Sequence, residues 1–116
     1  MRTTVDVAWN GSVNTAVWGC VSWVLLLRRH QCGRSSWAGV AAAAAQPAGH
    51  PLAQLNPRLH QISQNPILYA RDFHRVTEGS NTFFGPGYGS GPGCDLPTGL
   101  GSPSAKCLVC SLAGRF

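Results

Sequence analysis

Cysteines are the side chains through which this sequence most directly offers chemistry. They stand at five positions: Cys20, Cys32, Cys94, Cys107 and Cys110. Only the last two form a recognised spacing, C-x-x-C, which is typical of a redox pair or of one half of a zinc site. A structural zinc site needs four ligands and usually two such pairs, and only Cys94 and His74 lie near this pair in the sequence. One hypothesis is therefore a small thiol or zinc protein that works through Cys107 and Cys110.

Carboxylate and imidazole side chains give no pattern that is typical of an enzyme. The four acids and the four histidines are spread singly along the chain: Asp6, Asp72, Glu78 and Asp95, and His30, His50, His60 and His74. The sequence also lacks the common zinc-protease, serine-hydrolase and phosphate-loop motifs. We therefore predict that the chain is not an enzyme and that it has no catalytic, cofactor-binding or metal-binding residues.

The composition predicts little capacity to build a core that would position such groups. Only 11% of the 116 residues are charged, whereas about 25% is usual for soluble domains. Large aliphatic residues and Phe barely exceed the roughly 20% below which disorder becomes the default, and Gly and Pro contribute 14 and 8 residues. The predicted fold class is a mostly disordered chain with a few short α-helices and no compact globular fold.

Residues 1–34 form an apolar N-terminal segment with a basic flank. Its valines at positions 13, 17, 21 and 24 follow the spacing of one helix face, which favours a helix over residues 13–28. A second hypothesis follows, in which residues 13–27 anchor the protein to a membrane and Arg28, Arg29 and Arg34 lie on the cytoplasmic side. The alternatives are a buried element of a globular domain, a cleaved signal peptide and a mitochondrial presequence. The signal peptide would be cut after the A-x-A pattern of Ala43 and Ala45, but the basic run Arg28–Arg34 stands between the apolar run and that site. The presequence ranks below the anchor because the arginines follow the apolar block.

Two further segments precede the tail. Residues 35–51 are rich in Ala and contain prolines, and we interpret them as a linker, because a short isolated Ala run is only marginally helical in water. Residues 52–78 carry Asn56-Pro57 and Asn65-Pro66, each of which places a capping side chain before a proline suited to a first helical turn. This pattern predicts two short amphipathic helices, at 57–64 and 66–77, with Gly79 ending the second.

The last segment, residues 79–116, begins with a low-complexity stretch rich in Gly and Pro. Such a composition gives up backbone entropy on folding and offers few side chains to bury, so the segment is predicted to be a disordered tail. Its glycines do not form a phosphate-binding register with a following Gly-Lys-Ser or Gly-Lys-Thr.

The charge balance bears on partners. Nine basic against four acidic residues give a formal charge of +5, which favours weak, salt-sensitive and nonspecific binding of anionic partners, membranes included. No pattern typical of specific nucleic-acid recognition accompanies it. The favoured hypothesis is thus a small, basic and poorly ordered open-reading-frame product without a specific biochemical function. The membrane-attached protein and the thiol or zinc protein are its alternatives. The sequence assigns no compartment.

Overall fold

Helices make up most of the regular structure. The computed structural model describes residues 6–9, 17–21, 24–28, 31–82 and 84–115, and for residues 17–32 within these ranges it describes the backbone alone. In chain order the elements are β1 (Val17–Val21), β2 (Val24–Arg28), α1 (Gln31–Ala48), α2 (Leu55–Ser63), α3 (Pro66–Asp72), β3 (Phe73–His74), β4 (Ser102–Pro103) and α4 (Ala105–Leu112). The described residues form a compact globule, so the prediction of a mostly disordered chain is wrong.

A two-stranded antiparallel hairpin replaces the helix expected in the N-terminal segment. Strand β1 pairs with β2 from Val17 opposite Arg28 to Val21 opposite Val24. β-branched and aromatic residues favour strands, and here that preference outweighs the helical spacing of the valines. The predicted helix is wrong over residues 17–21 and 24–28, while residues 13–16, 22 and 23 lie outside the described residues.

The expectations of intrinsic disorder and of a membrane segment are therefore wrong for the residues that the structure describes. Across the described part of the chain, no helix combines the length and the apolar character that crossing a membrane requires.

Helix α1 occupies the residues that were interpreted as a linker. It runs for 18 residues from Gln31 to Ala48 and includes Pro47 in its last turn. Val40 and Ala44, one helical turn apart, are buried in the core, and the helix packs against α4. Tertiary packing of this face supplies the stabilisation that an isolated Ala run lacks.

Helix α3 confirms one of the two predicted caps. The Oδ1 atom of Asn65 accepts hydrogen bonds from the backbone N–H groups of Ile67 and Leu68, at 3.0 and 3.3 Å, with Pro66 in the first turn. The helix ends at Asp72 and not at residue 77, because Phe73 and His74 pair with Pro103 and Ser102. Pairing with a distant segment thus ends the helix before Gly79.

Helix α2 differs from its prediction at the start. It begins at Leu55, and Gln54 stands at the cap position without a side-chain hydrogen bond to the helix. Asn56 lies inside the helix, where its amide donates a 2.8 Å hydrogen bond to Asp6 Oδ2. The second predicted cap is therefore wrong, and Asn56 instead helps to hold the N-terminal segment against α2.

The core lies where the four helices meet the segment around Leu100. Its buried apolar side chains are Val40, Ala44, Leu59, Ile62, Phe73, Leu100, Leu108 and Leu112. They come from α1, α2, β3, α4 and the loop between β3 and β4, which contains the Gly-rich stretch and is called the Gly-rich loop below. Each segment contributes only one or two of these side chains, so a compact core arises from a sequence whose local apolar density is low.

The Gly-rich stretch is held by a turn around Asp95 and by a short N-terminal segment. The Asp95 carboxylate accepts hydrogen bonds from the Gly91 N–H at 3.0 Å and from the Thr98 N–H and hydroxyl at 2.8 and 2.7 Å. Burial acts to raise the pKa of Asp95, but these hydrogen bonds outweigh it and hold the pKa below its ordinary value. The prediction of a disordered tail over residues 79–116 is therefore wrong for this stretch, and helix α4 corrects it for the end of the segment.

Residues 6–9 pack against the end of this loop. The Ala8 N–H donates to the Gly101 carbonyl at 2.9 Å, and the Leu100 N–H donates to the Asp6 carbonyl at 2.9 Å. Gly101 has a φ of +95°, and a Cβ built there would fall on the carbonyl oxygen of His74. This position therefore accepts only glycine without a backbone shift.

Candidate functional site: a basic cleft with two thiols

Helix α4 divides its residues between two faces. Leu108, Ser111 and Leu112 are buried, whereas Lys106 and Cys110, four residues apart, are exposed on another face with Cys107 half-buried beside them. The apolar side packs against α1, α2 and α3. Packing of the buried face thus presents the lysine and the two thiols outward together.

Arg71, at the end of α3, is fixed next to this face by buried acceptors. Its Nε donates to Asp72 Oδ1 at 2.8 Å, and its Nη2 donates to Ser111 Oγ at 2.6 Å. Both Asp72 and Ser111 have no exposed surface. The Asp72 carbonyl also accepts the Ser104 N–H at 2.8 Å, at the start of α4. The guanidinium is therefore held in one orientation by contacts that join α3 to α4.

Together these groups line an open cleft of about 380 Å³, whose walls are Arg71, Lys106, Cys107, Cys110 and Arg115. The hydrogen bond with Asp72 raises the pKa of Arg71, so this side chain stays protonated and its charge is offset by that carboxylate. Among the described residues, the ion pairs are those of Arg71 with Asp72 and of His60 with Asp6. Lys106 and Arg115 thus contribute positive charge to the cleft without a carboxylate partner in the described ranges.

The two thiols of the cleft differ in exposure. Cys110 is exposed and Cys107 is half-buried, and both are free. The Cys110 thiol lies 3.6 Å from the Lys106 carbonyl oxygen, to which it donates a weak hydrogen bond within the helix. The structure therefore places the C-x-x-C pair at a concave surface, where a ligand has access to it.

Among the side chains that the structure describes, the zinc alternative gains no further ligand. Cys94 and His74, the two neighbours considered from the sequence, are not part of the cleft wall. No group of three His, Cys, Asp or Glu side chains within the described ranges is arranged to hold a metal ion. A zinc ion at Cys107 and Cys110 would need its remaining ligands from side chains that the structure does not describe or from another molecule.

Cys94 is an exposed thiol that lies near carboxylates, whereas Cys110 lies near cations. Burial of part of its surface and the nearby carboxylates of Asp95 and Asp6 raise its pKa. Of the two exposed thiols that the structure describes, Cys110 therefore lies beside cations and Cys94 beside anions.

His60 and Asp6 meet across 54 residues of sequence. The Nε2 atom of His60 lies 2.8 Å from Asp6 Oδ1, a pairing that their isolated positions in the sequence did not suggest. The nearby Ser63 hydroxyl donates to the backbone carbonyl of His60 and not to its ring. The pair ties the N-terminal segment to α2.

A larger cleft, of about 430 Å³, lies between the loop from His50 to Gln54 and the end of α4. Its wall is mainly apolar or neutral and has one strongly basic side chain, Arg58. We place the candidate site in the smaller cleft because that cleft combines several cations with nucleophilic thiols.

Comparison with known proteins adds a partial similarity. Over 78 residues, which are 66% of this chain, the sequence is 39% identical to kumamolisin of Bacillus sp. (strain MN-32), a protease. The matched stretch covers 13% of kumamolisin. No family model matches the chain, and no solved structure matches it. The similarity therefore relates this chain to a small part of a much longer protease.

Proposed function

We propose that the chain is a binding module that takes a small, multiply charged anion in the cleft between Arg71, Lys106 and Arg115. The observation that carries the proposal is the convergence of three cations on one concave surface, two of them without a carboxylate partner in the described ranges. The proposal does not require catalysis. The net charge predicted nonspecific binding of anionic partners, and we now propose one defined site for an anion.

Arg71 supports this proposal through its fixed geometry. A guanidinium held by Asp72 and Ser111 loses little side-chain entropy when it binds a ligand. Guanidinium groups also match the planar geometry of phosphate and carboxylate oxygens better than ammonium groups do. Lys106 and Arg115 add charge from the two ends of the α4 region, so an anion with several oxygens can contact more than one cation.

Isothermal titration calorimetry with pyrophosphate tests the proposal. We expect binding at low ionic strength that weakens as salt is added, because the cleft is open to solvent. Arg115→Gln and Lys106→Gln should each weaken binding by about three- to tenfold, which corresponds to the loss of one solvated charge-assisted contact. Arg58→Gln, which removes a cation from the other cleft, is the matched control and should leave the affinity unchanged. Equal affinities in all three variants would overturn the proposal.

The similarity to kumamolisin favours a second candidate, in which the chain forms part of a protease. The described residues show no nucleophile hydrogen-bonded to the His60 ring. The test is hydrolysis of a fluorogenic peptide library by the purified chain across acidic and neutral pH. Turnover that follows the chain through purification would support this candidate, and its absence at every pH would count against protease activity of this chain.

A further inference from the structure

Cys110 and Cys94 present the same functional group in opposite electrostatic surroundings. Cys110 lines the cleft with Arg71, Lys106 and Arg115, whereas the carboxylates of Asp95 and Asp6 act on Cys94. Both thiols are free and exposed. A charged reagent therefore meets attraction at one thiol and repulsion at the other.

We infer that Cys110 is a site of mixed-disulfide formation with anionic thiols of the glutathione class, selected by the cations of the cleft. The inference rests on the proposed function, because the same cations that bind a free anion would hold the carboxylates of the incoming disulfide. Cys94 lacks this selection, since its neighbours repel the same carboxylates.

The reaction is a thiol–disulfide exchange. The Cys110 thiolate attacks one sulfur of a glutathione disulfide, a bond forms between Cys110 Sγ and that sulfur, and the original sulfur–sulfur bond breaks. The second glutathione leaves as a thiolate and takes up a proton from solvent. Cys110 is oxidised and the departing glutathione is reduced, so the disulfide itself is the oxidant and no further reagent is required.

Within the cleft, exposure favours Cys110 over Cys107. Attack requires that a disulfide approach the sulfur in line, and the half-buried Cys107 offers less access than the exposed Cys110. The cleft, at about 380 Å³, has room for the carboxylate-bearing arm of a tripeptide but not for burial of the whole disulfide. Cys107 therefore serves as the matched control within the same helix.

The experiment compares two disulfides of opposite charge on the reduced, full chain at low ionic strength. Glutathione disulfide is anionic and cystamine is cationic. The same two reactions in urea give the reference rates for the thiols of the unfolded chain. Trypsin cuts after Arg75, Lys106 and Arg115, so Cys94 is reported by peptide 76–106 and the two cleft thiols by peptide 107–115. Mass spectrometry of these peptides over time gives both rates from one sample.

For the cleft peptide, we expect glutathione disulfide to be favoured over cystamine by about tenfold relative to the urea reference, with a smaller preference as salt is added. The Cys94 peptide should show no such preference or the opposite one. Cys110→Ser should abolish the preferred modification, Cys107→Ser should leave it intact, and the double variant Lys106→Gln with Arg115→Gln should remove most of the preference.

The outcomes separate this inference from the proposed function. Equal relative rates for the two disulfides at Cys110, in a chain that binds pyrophosphate, would overturn the inference and leave the anion site standing. Modification that persists in Cys110→Ser and disappears in Cys107→Ser would also overturn it. Loss of pyrophosphate binding together with loss of the charge preference would overturn both.

Discussion

Replacing Leu59 with alanine measures whether the helices share one core. Leu59 has no exposed surface and lies in α2, among buried side chains from the other helices and the Gly-rich loop. Leu→Ala substitutions at fully buried positions cost about 2.7–5 kcal/mol, because they lose burial and leave a cavity. A chain of 116 residues has a free energy of unfolding of roughly 6–17 kcal/mol at about 0.05–0.15 kcal/mol per residue. The substitution should therefore remove a large share of the total stability.

Urea unfolding followed by far-ultraviolet circular dichroism gives this quantity. With a urea dependence of about 1–3 kcal/mol per molar, a loss of about 2.7–5 kcal/mol should lower the unfolding midpoint of Leu59→Ala by roughly 1–5 M. Ile67→Ala is the control, because Ile67 is 77% exposed on α3 and its substitution should change stability by no more than about 0.5 kcal/mol. Similar midpoints for the two variants, or a wild-type chain that unfolds without a cooperative transition, would refute the shared core.

Two further predictions concern the Gly-rich loop. Gly101→Ala should destabilise the fold by about 2–4 kcal/mol and lower the thermal unfolding midpoint, because the added Cβ would fall on the His74 carbonyl oxygen and the φ of this residue is +95°. The control is Gly39→Ala in α1, where nothing lies within 4 Å of the added Cβ, and it should stabilise the fold by about 0.5–1 kcal/mol. Equal changes of the unfolding midpoint in the two variants would contradict this reasoning. The lowered pKa of Asp95 stabilises the folded chain fully above the ordinary carboxyl pKa of 3.8, and this contribution is lost as pH falls through the lower folded-state pKa. The free energy of unfolding of wild type minus that of Asp95→Asn, measured from pH 6 downward, should therefore be constant until about pH 4 and then shrink, and a difference that grows on acidification would show the sign to be wrong.

A helix cap was predictable from the sequence where all the groups that form it are close together in the chain. Asn65 caps α3 because an Asn before Pro can bond the next two N–H groups without help from the rest of the fold. Asn56 has the same sequence context, yet Asp6 takes its amide from 50 residues away. The early end of α3 likewise depends on strand β4, which lies about 30 residues further along the chain. Long-range contacts decide both differences.

The ordered structure of the Gly-rich loop, and of residues 35–51 that were interpreted as a linker, was not predictable from composition. The loop is held by the Asp95 carboxylate and by the short segment around Ala8, and neither contact has a periodic signature. In α1, Val40 and Ala44 gain their stability from packing on α4. The strands Val17–Val21 and Val24–Arg28 follow the β-branched propensity of their residues, which outweighs the helical spacing of the valines.

The candidate site was predictable in part. Cys107 and Cys110 were singled out from their spacing, and Lys106 directly precedes Cys107 in the sequence. Lys106 and Arg115 flank this pair in the sequence, on either side of residues 107–114, and this was a signal that the sequence carried. Arg71 was not predictable as a member, because it reaches the cleft only through Asp72 and the distant Ser111.

Titration of the ¹⁵N-labelled chain with pyrophosphate, followed residue by residue in amide NMR spectra, tests the proposed anion site most directly. We expect saturable shifts of the amides around Lys106–Ser111, together with those of Arg71 and Arg115, and smaller shifts when salt is added. The amides of the loop around Asp95 and of the cleft at Arg58 should remain unchanged. Shifts spread evenly over basic residues without saturation, or concentrated at Arg58, would contradict a defined anion site between α3 and α4.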